Sequence, residues 1–341
     1  MWIEIAPMTT QTTHLSFEAM HAALKASAEG TRLRILALLA ETELTVSDLT
    51  EILRQSQPRI SRHLKLLAEA GLIERHREGA WAFFRMADRG ENAQLGRLLV
   101  DRLDADDPTL SRDRERLAAV REQRARQAQD YFRAHADQWD RIRKLHTADS
   151  AVEDAIIMAL SDKPFRALLD LGTGTGRMLE LFGPSLERGL GIDLSPAMLS
   201  LARARLERAG LKNCSVRQGD IYNLPLARES FDVVIIHQVL HYLDDGARAV
   251  REAARVLAPN GRLLVVDFAP HDLEFLREEH AHRRLGFSPE TVSQWLEAAG
   301  LNVTMERSIA PEPGSDGKIA VSLWLAQDPR VRVAGRLGVV A

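Results

Sequence analysis

The sequence predicts two domains of different class joined by a long helix. The first is a small α+β head; the second is an α/β body with a doubly wound, seven-stranded sheet. Three observations predict this. Apolar residues recur at helical spacing from Phe17 to Leu67 and then give way to a ribbon around Glu78-Gly79. A polar helical run follows from Arg112 to His146. Beyond it, apolar strands alternate with helices, and the first strand ends in a glycine turn, Asp170-Leu171-Gly172-Thr173-Gly174-Thr175-Gly176.

Length and composition agree with this organisation. A chain of 341 residues is too long for one small core. The expected boundaries are an arm at 1–15, the head at 16–108, the connector helix at 109–147, the body at 148–327 and a tail at 328–341. Pro108, after the acidic run Asp104-Ala105-Asp106-Asp107, marks the end of the head. Hydrophobic residues make up 45% and charged residues 27%, an ordinary globular balance. No apolar run approaches the roughly 20 residues of a membrane helix, and the N-terminus lacks a basic-then-apolar leader pattern. The single cysteine, Cys214, excludes an intramolecular disulfide and leads to the expectation of a cytoplasmic protein. A net charge of −3 says little for nucleic acid, but the basic residues are clustered.

In the head, Phe17, Met20, Ala23 and Leu24 open a first helix and Gly30-Thr31 a second. A third covers Thr45–Leu53, with Thr45 or Ser47 able to cap it. The fourth runs from Gln57 to Leu67, with Pro58 in the first turn, where its missing N–H costs nothing. Two short strands follow across residues 74–85. Short helices and a β-ribbon make a winged helix-turn-helix. The fourth helix turns Ile60, Leu64 and Leu67 inward. Its other face presents Gln57, Arg59, Ser61, Arg62, His63 and Lys65, and the ribbon adds Arg75 and Arg77. Such side chains suit phosphates and base edges of double-stranded DNA.

Residues 17–105 resemble the ArsR/SmtB family of dimeric bacterial repressors. The strings that carry the resemblance are Glu43-Leu44-Thr45-Val46-Ser47-Asp48-Leu49 and Gln57-Pro58-Arg59-Ile60-Ser61-Arg62-His63-Leu64-Lys65-Leu66-Leu67. It implies a homodimer, with the first helix and Leu95, Leu98, Leu99 and Leu103 at its interface, and a two-fold operator. Metal-sensing members carry cysteines at the positions of Thr45 and Ser47. Hydroxyls replace thiolates poorly on soft metals, so no metal site is expected. His63 and His76 read as nucleic-acid contacts or surface.

The connector is nearly all polar from Arg121 to Gln127, which suits a helix surrounded by solvent. It regains a stripe at Ala128, Phe132, His135, Trp139 and Ile142. Tyr131, Phe132 and Trp139 either simply pack on the body's core or, as the resemblance of Asp170–Gly176 to a methyltransferase motif implies, line a lid over its pocket.

In the body, strands are expected at 166–171, 189–193, 214–218, 231–237, 261–267, 302–307 and 317–326. Helices are expected at 178–182, 197–209, 246–257 and 289–299. The last two strands have no helix between them and should pair as an antiparallel hairpin. A dinucleotide site would need its third glycine at position 177, which is Arg177. The Asp170–Gly176 string instead resembles motif I of the class I S-adenosylmethionine-dependent methyltransferases, and residues 148–327 resemble their fold. The resemblance implies S-adenosylmethionine or S-adenosylhomocysteine as ligand. Gly172, Thr173, Gly174 and Gly176 would bring backbone to its methionine part, with Asp170 orienting the loop. Asp193, 23 residues further on at the end of the second strand, would hold the ribose hydroxyls. Leu194 and Met198 would flank the adenine. Gly219, Asp220 and Ile221 end the third strand, with Asp220 accepting from the adenine amine. His237 would face the sulfonium end.

A base is needed only if the methyl acceptor carries a proton. His237, His241 and Tyr242 are the candidates, each with a structural role as the alternative. His237-Gln238-Val239-Leu240 stands where DNA amino-methyltransferases carry Asn/Asp-Pro-Pro-Tyr/Phe. Cys214 lacks the Pro-Cys context of cytosine enzymes, and arsenite enzymes use several cysteines. The body is therefore similar to small-molecule methyltransferases of the ubiquinone/menaquinone type. Two functions remain open. One is a transcriptional regulator, a repressor, whose body senses S-adenosylmethionine or S-adenosylhomocysteine. The other is a small-molecule methyltransferase whose head regulates its own operon.

Overall fold

The computed structural model describes residues 15–78, 81–87, 92–135, 149–311 and 319–330. The chain divides into two compact units, Met1–Glu122 and Gln123–Ala341.

The head contains α1 (Phe17–Ser27), α2 (Gly30–Glu41), α3 (Val46–Leu53) and α4 (Gln57–Glu69). Each start has a local cause. The Ser16 hydroxyl accepts from the Ala19 amide, and the Glu29 carboxylate accepts from Arg32. Between the two candidate caps of α3 the structure chooses Thr45. Its hydroxyl accepts from the Asp48 amide at 3.2 Å, and the Asp48 carboxylate accepts from the Thr45 amide at 2.9 Å, a reciprocal capping box. The ribbon, β2 (Ile73–Glu78) and β3 (Trp81–Met86), gains a strand that the sequence reading missed: β1 (Leu44–Thr45) pairs antiparallel with β3. The turn expected at Gly79 lies outside the described residues. Ile35, Leu36, Leu49, Ile52, Ile60, Leu64 and Leu67 form the core of the head.

After α5 (Ala93–Asp101), helix α6 spans Pro108–His135. Its first half is not a bare connector, because Leu117 and Val120 are buried in the head's core. Arg34 also reaches Asp113 with two bonds, of 2.6 and 2.7 Å. The head thus extends beyond the expected boundary at 108. Of the stripe on its second half, only Phe132 is a described side chain; Ala128, His135, Trp139 and Ile142 lie outside the description, as does Tyr131's ring.

The body begins with a helix that the sequence reading did not list, α7 (Asp149–Leu160), which buries Val152, Ala155, Ile156, Ala159 and Leu160. The sheet then uses β4 (Ala167–Leu171), β5 (Arg188–Asp193), β6 (Cys214–Gln218), β7 (Phe231–His237), β8 (Leu257–Phe268), β9 (Asn302–Ile309) and β10 (Val321–Gln327). Helices α8 (Arg177–Phe182), α9 (Pro196–Arg208), α10 (Gly246–Val256), α11 (Phe275–Glu279) and α12 (Pro289–Ala298) occupy the connections. The strand order is β6-β5-β4-β7-β8-β10-β9, parallel from β6 to β8. β9 and β10 pair antiparallel as expected, but β10 inserts between β8 and β9. Successive strand residues feed opposite faces. Val233, Ile235, Leu264 and Val266 enter one core cluster, whereas Val234, Ile236, Leu263 and Val265 enter the other. Burial on both faces explains why these strands read as unbroken apolar runs. Among the described residues no helix is long and apolar enough to cross a membrane.

The Arg34–Asp113 pair leads to a direct expectation. The Asp113 side chain is only 2% exposed, so Arg34→Ala would strip a buried carboxylate of its two short bonds and leave it the Arg116 guanidinium at 3.7 Å. The head should lose about 3 kcal/mol of stability, read from denaturant unfolding.

Candidate functional sites

The crevice of the body is built at the carboxyl ends of β4 and β5. There the chain must turn tightly, and Gly172, Gly174 and Gly176 all take positive φ, at 69°, 51° and 82°. The turn is tied to the neighbouring strand, since the Gly172 and Thr173 amides both donate to the Ile192 carbonyl, at 2.8 and 3.0 Å. The glycines also serve packing, a role that the sequence reading did not assign. A Cβ on Gly172 would sit 2.3 Å from the Val239 side chain, and one on Gly176 would sit 3.1 Å from Ala202. Asp170 is buried and accepts from the Thr173 hydroxyl at 2.5 Å, which holds the loop from below. Gly191 makes room for that threonine, because a Cβ there would lie 2.7 Å from Thr173 Oγ1.

Asp193 ends β5. Its Oδ2 accepts from the Gly174 amide and its Oδ1 from the Ser195 amide, both at 2.8 Å. An ionised carboxylate has about four acceptor positions, so roughly two stay available for hydroxyls. Burial raises its pKa above the ordinary 3.8, and the amide bonds oppose that rise. Beside it Leu194 is exposed whereas Met198 is buried. At the end of β6, the Gly219 amide donates to the Asp193 carbonyl at 3.1 Å. Asp220 is exposed, and its Oδ1 accepts from the Tyr222 amide at 2.9 Å. Ile221 packs against the second core cluster. The turn, Asp193, Leu194 and Asp220 therefore follow one another along the ends of β4, β5 and β6. This arrangement fits a ligand with a ribose between a charged chain and a base.

On the other side of β4 lies the end of β7. His237 closes that strand half-buried, and Gln238 takes a left-handed φ of 54°. A 3₁₀ turn, Leu240–Tyr242, brings His241 into the interior, 2% exposed. Its Nδ1 lies 2.7 Å from Oδ1 of the fully buried Asp267, at the end of β8. Asp267 also accepts from the Phe268 amide at 2.8 Å. Rings surround the pair: Tyr242 lies 4.1 Å from His241 by centroid, His282 4.3 Å and Phe268 4.8 Å. Phe132 meets Tyr242 edge-on at 4.8 Å. The sequence reading named His241 and Tyr242 but missed Asp267, Phe268 and His282. A carboxylate closing the apolar run of β8 was the one available signal.

In the head, Gln57, Arg59, Ser61, Arg62 and Lys65 of α4 are exposed, as are Arg75 and Arg77 of the ribbon. His63 is not part of that face, which corrects its assignment as a DNA contact. It is buried, with Nδ1 3.7 Å from Glu29 Oε2. Burial lowers its pKa below 6.5; Glu29 opposes this, and Arg32, Arg59 and Arg62 add to it. Helical spacing points position 63 between the two faces, and packing beside α2 turned it inward. Together with Arg32, Ser56, Pro58, Arg59, Arg62 and Leu66 it lines a hollow of about 600 Å³. The Thr45 hydroxyl is occupied by its capping box. Among the described residues no cluster of three or more His, Cys, Asp or Glu is placed to hold a metal.

Residues 29–75 match the family model described as bacterial regulatory protein, arsR family, and residues 169–265 match that of a methyltransferase domain. The chain joins an arsR-family helix-turn-helix domain to a class I methyltransferase domain. The uncharacterized methyltransferase YcgJ of Bacillus subtilis is 36% identical over 106 residues, 31% of this chain and 42% of that protein. The demethylmenaquinone methyltransferase of Thermus thermophilus is 40% identical over 119 residues, 34% of this chain and 53% of that protein. An arsenite methyltransferase of Halobacterium salinarum is 35% identical over 109 residues, 30% of this chain and 27% of that protein. The chain thus spans about half or less of the length of these relatives. Among solved structures, a chain from the Haloferax volcanii complex of the Trm112 methyltransferase activator with a methyltransferase aligns with a TM-score of 0.50. It is 25% identical, and the alignment covers 60% of this chain and 98% of that one.

The Asp193→Ala variant should bind S-adenosylmethionine about 10- to 100-fold more weakly by calorimetry, the cost of charged hydrogen bonds to two hydroxyls. In the wild type, affinity should fall with falling pH as the carboxylate takes a proton and loses acceptor capacity. Because burial raises this pKa, the fall should begin at a higher pH than for an ordinary aspartate.

Proposed function

We propose that this protein is a DNA-binding transcriptional regulator, a repressor, whose methyltransferase domain binds S-adenosylmethionine or S-adenosylhomocysteine and reports methyl-cycle status. The observation that carries the reading is the Asp193 carboxylate. It braces the glycine turn and keeps acceptor positions for a ribose, on a chain that also carries an exposed, basic recognition helix. The cofactor would lie with its amino-acid part over Gly172–Gly176 and its adenine toward Leu194 and Asp220. Gln57, Arg59, Ser61, Arg62 and Lys65 would contact operator DNA, with Arg75 and Arg77 on the flanking backbone.

The working form is a cytoplasmic homodimer. Phe17, Met20 and Leu24 of α1 and Leu98 of α5 are exposed at 88%, 37%, 45% and 51%. Large apolar side chains on two helices suit a subunit interface. Ligand binding and DNA binding would be coupled in the one chain, whose helix α6 contributes Leu117 and Val120 to the head and Phe132 to the body. Operator titrations should show affinity changing about 5- to 150-fold when either ligand saturates the protein, the span of common couplings. Arg62→Ala should weaken binding and lower the salt slope by about one. An operator affinity indifferent to both ligands would overturn the sensor.

A second reading is a small-molecule methyltransferase whose head regulates its own operon. The His241–Asp267 pair favours it, since a pure sensor has no need of an oriented base. Labelled cofactor incubated with cell extract should then mark a metabolite, and no labelled metabolite would count against it.

A further inference from the structure

The ends of β7 and β8 carry a cluster that cofactor binding leaves unused. His241 is 2% exposed and Asp267 fully buried. The carboxylate takes the Nδ1 side of the imidazole at 2.7 Å, which fixes the ring and leaves the proton-accepting position at Nε2. The hydrogen bond that the ring makes among the described residues is the one at Nδ1, to Asp267. In the Ser-His-Asp triad a buried carboxylate holds the imidazole in this tautomer so that Nε2 can accept a proton.

The surroundings define what could approach. Tyr242, His282 and Phe268 stand within 4.8 Å of His241 by ring centroid, and Phe132 closes on Tyr242. The Tyr242 hydroxyl and His282 Nε2 lie 3.4 Å apart. The Arg283 and Arg284 amides donate to the His241 carbonyl at 2.9 and 3.0 Å, fixing the turn from the opposite side. The neighbours of the imidazole are flat rings with a few polar edges, chemistry that suits a flat aromatic guest. The base narrows the class further. An imidazole base is matched to the proton of a phenol far better than to that of an aliphatic alcohol.

We propose that this cluster is a methyl-acceptor site for small phenols, in which His241 is the catalytic base and Asp267 positions it. The proposal rests on the transferase reading. The bound cofactor supplies a methyl group on a positively charged sulfur. As the acceptor oxygen forms its bond to that carbon and the carbon–sulfur bond breaks, the phenolic proton passes to His241 Nε2. The products are the methyl ether and the neutral thioether, and the imidazolium returns its proton to water.

The test uses 4-nitrophenol and the full chain. The yellow phenolate band of the probe reports the position of the proton without any methyl transfer. Added in mildly acidic buffer, the probe should gain phenolate absorbance on binding the wild type. His241→Asn should abolish that gain, and Asp267→Asn should reduce it. Both variants should keep S-adenosylmethionine affinity within about twofold, which shows that they are folded. Labelled methyl transfer to the probe should fall about 100-fold or more in His241→Asn. Phenolate formation and transfer equal in wild type and His241→Asn would overturn the base while leaving the transferase reading intact. A wild type that binds cofactor but neither ionises nor methylates the probe would overturn the phenol site. If it also labels nothing in cell extract, the transferase reading falls with it.

Discussion

The carboxylate of Asp193 is the constraint on which the crevice depends. Three glycines in left-handed conformations make a floppy turn unless something outside the turn holds them. One oxygen of Asp193 takes the middle glycine's amide, and the other takes the amide that starts α9. A single side chain thus locks the loop after β4 to the helix after β5. Burial makes its charge costly, and the amides offset that cost only partly. A ligand offering two further hydroxyl donors would complete the compensation, which would make the same group both brace and binding site.

The parallel sheet then sorts the chemistry by strand. β4 ends in the glycine turn and β5 and β6 lead into the carboxylates of Asp193 and Asp220, whereas β7 and β8 lead into an imidazole, a carboxylate and rings. β4 stands between the two groups, and its turn touches both sides. Gly172 lacks a Cβ so that Val239, from the loop after β7, can pack against it. That contact links the glycine turn to the segment carrying His241. In the head, the same economy appears in the Thr45–Asp48 box, in which one pair of side chains starts α3 and satisfies both.

Much of this architecture was readable from residues close in sequence. The starts of α3 and α4 followed from Thr45 and Pro58, and strand ends from Asp170 and Asp193, because caps and turns are settled within a few residues. Seven strands and their helices followed from periodicity, which burial of a face imposes directly. The helix at 149–160 carries its own apolar stripe, so the same periodicity marks it. The two-residue strand Leu44–Thr45 was too short to announce itself and exists only through its pairing with β3.

By itself, then, the sequence determined the two domain types, the glycine turn, the order of strand-end carboxylates and the basic character of α4. These depend on propensity, spacing and residue type. Only the tertiary structure decided that β10 slides between β8 and β9, that His63 turns inward, and that Asp267 meets His241 from 26 residues away. Those outcomes depend on which surfaces close over one another. A pattern along one strand or helix carries no information about its partner across the fold.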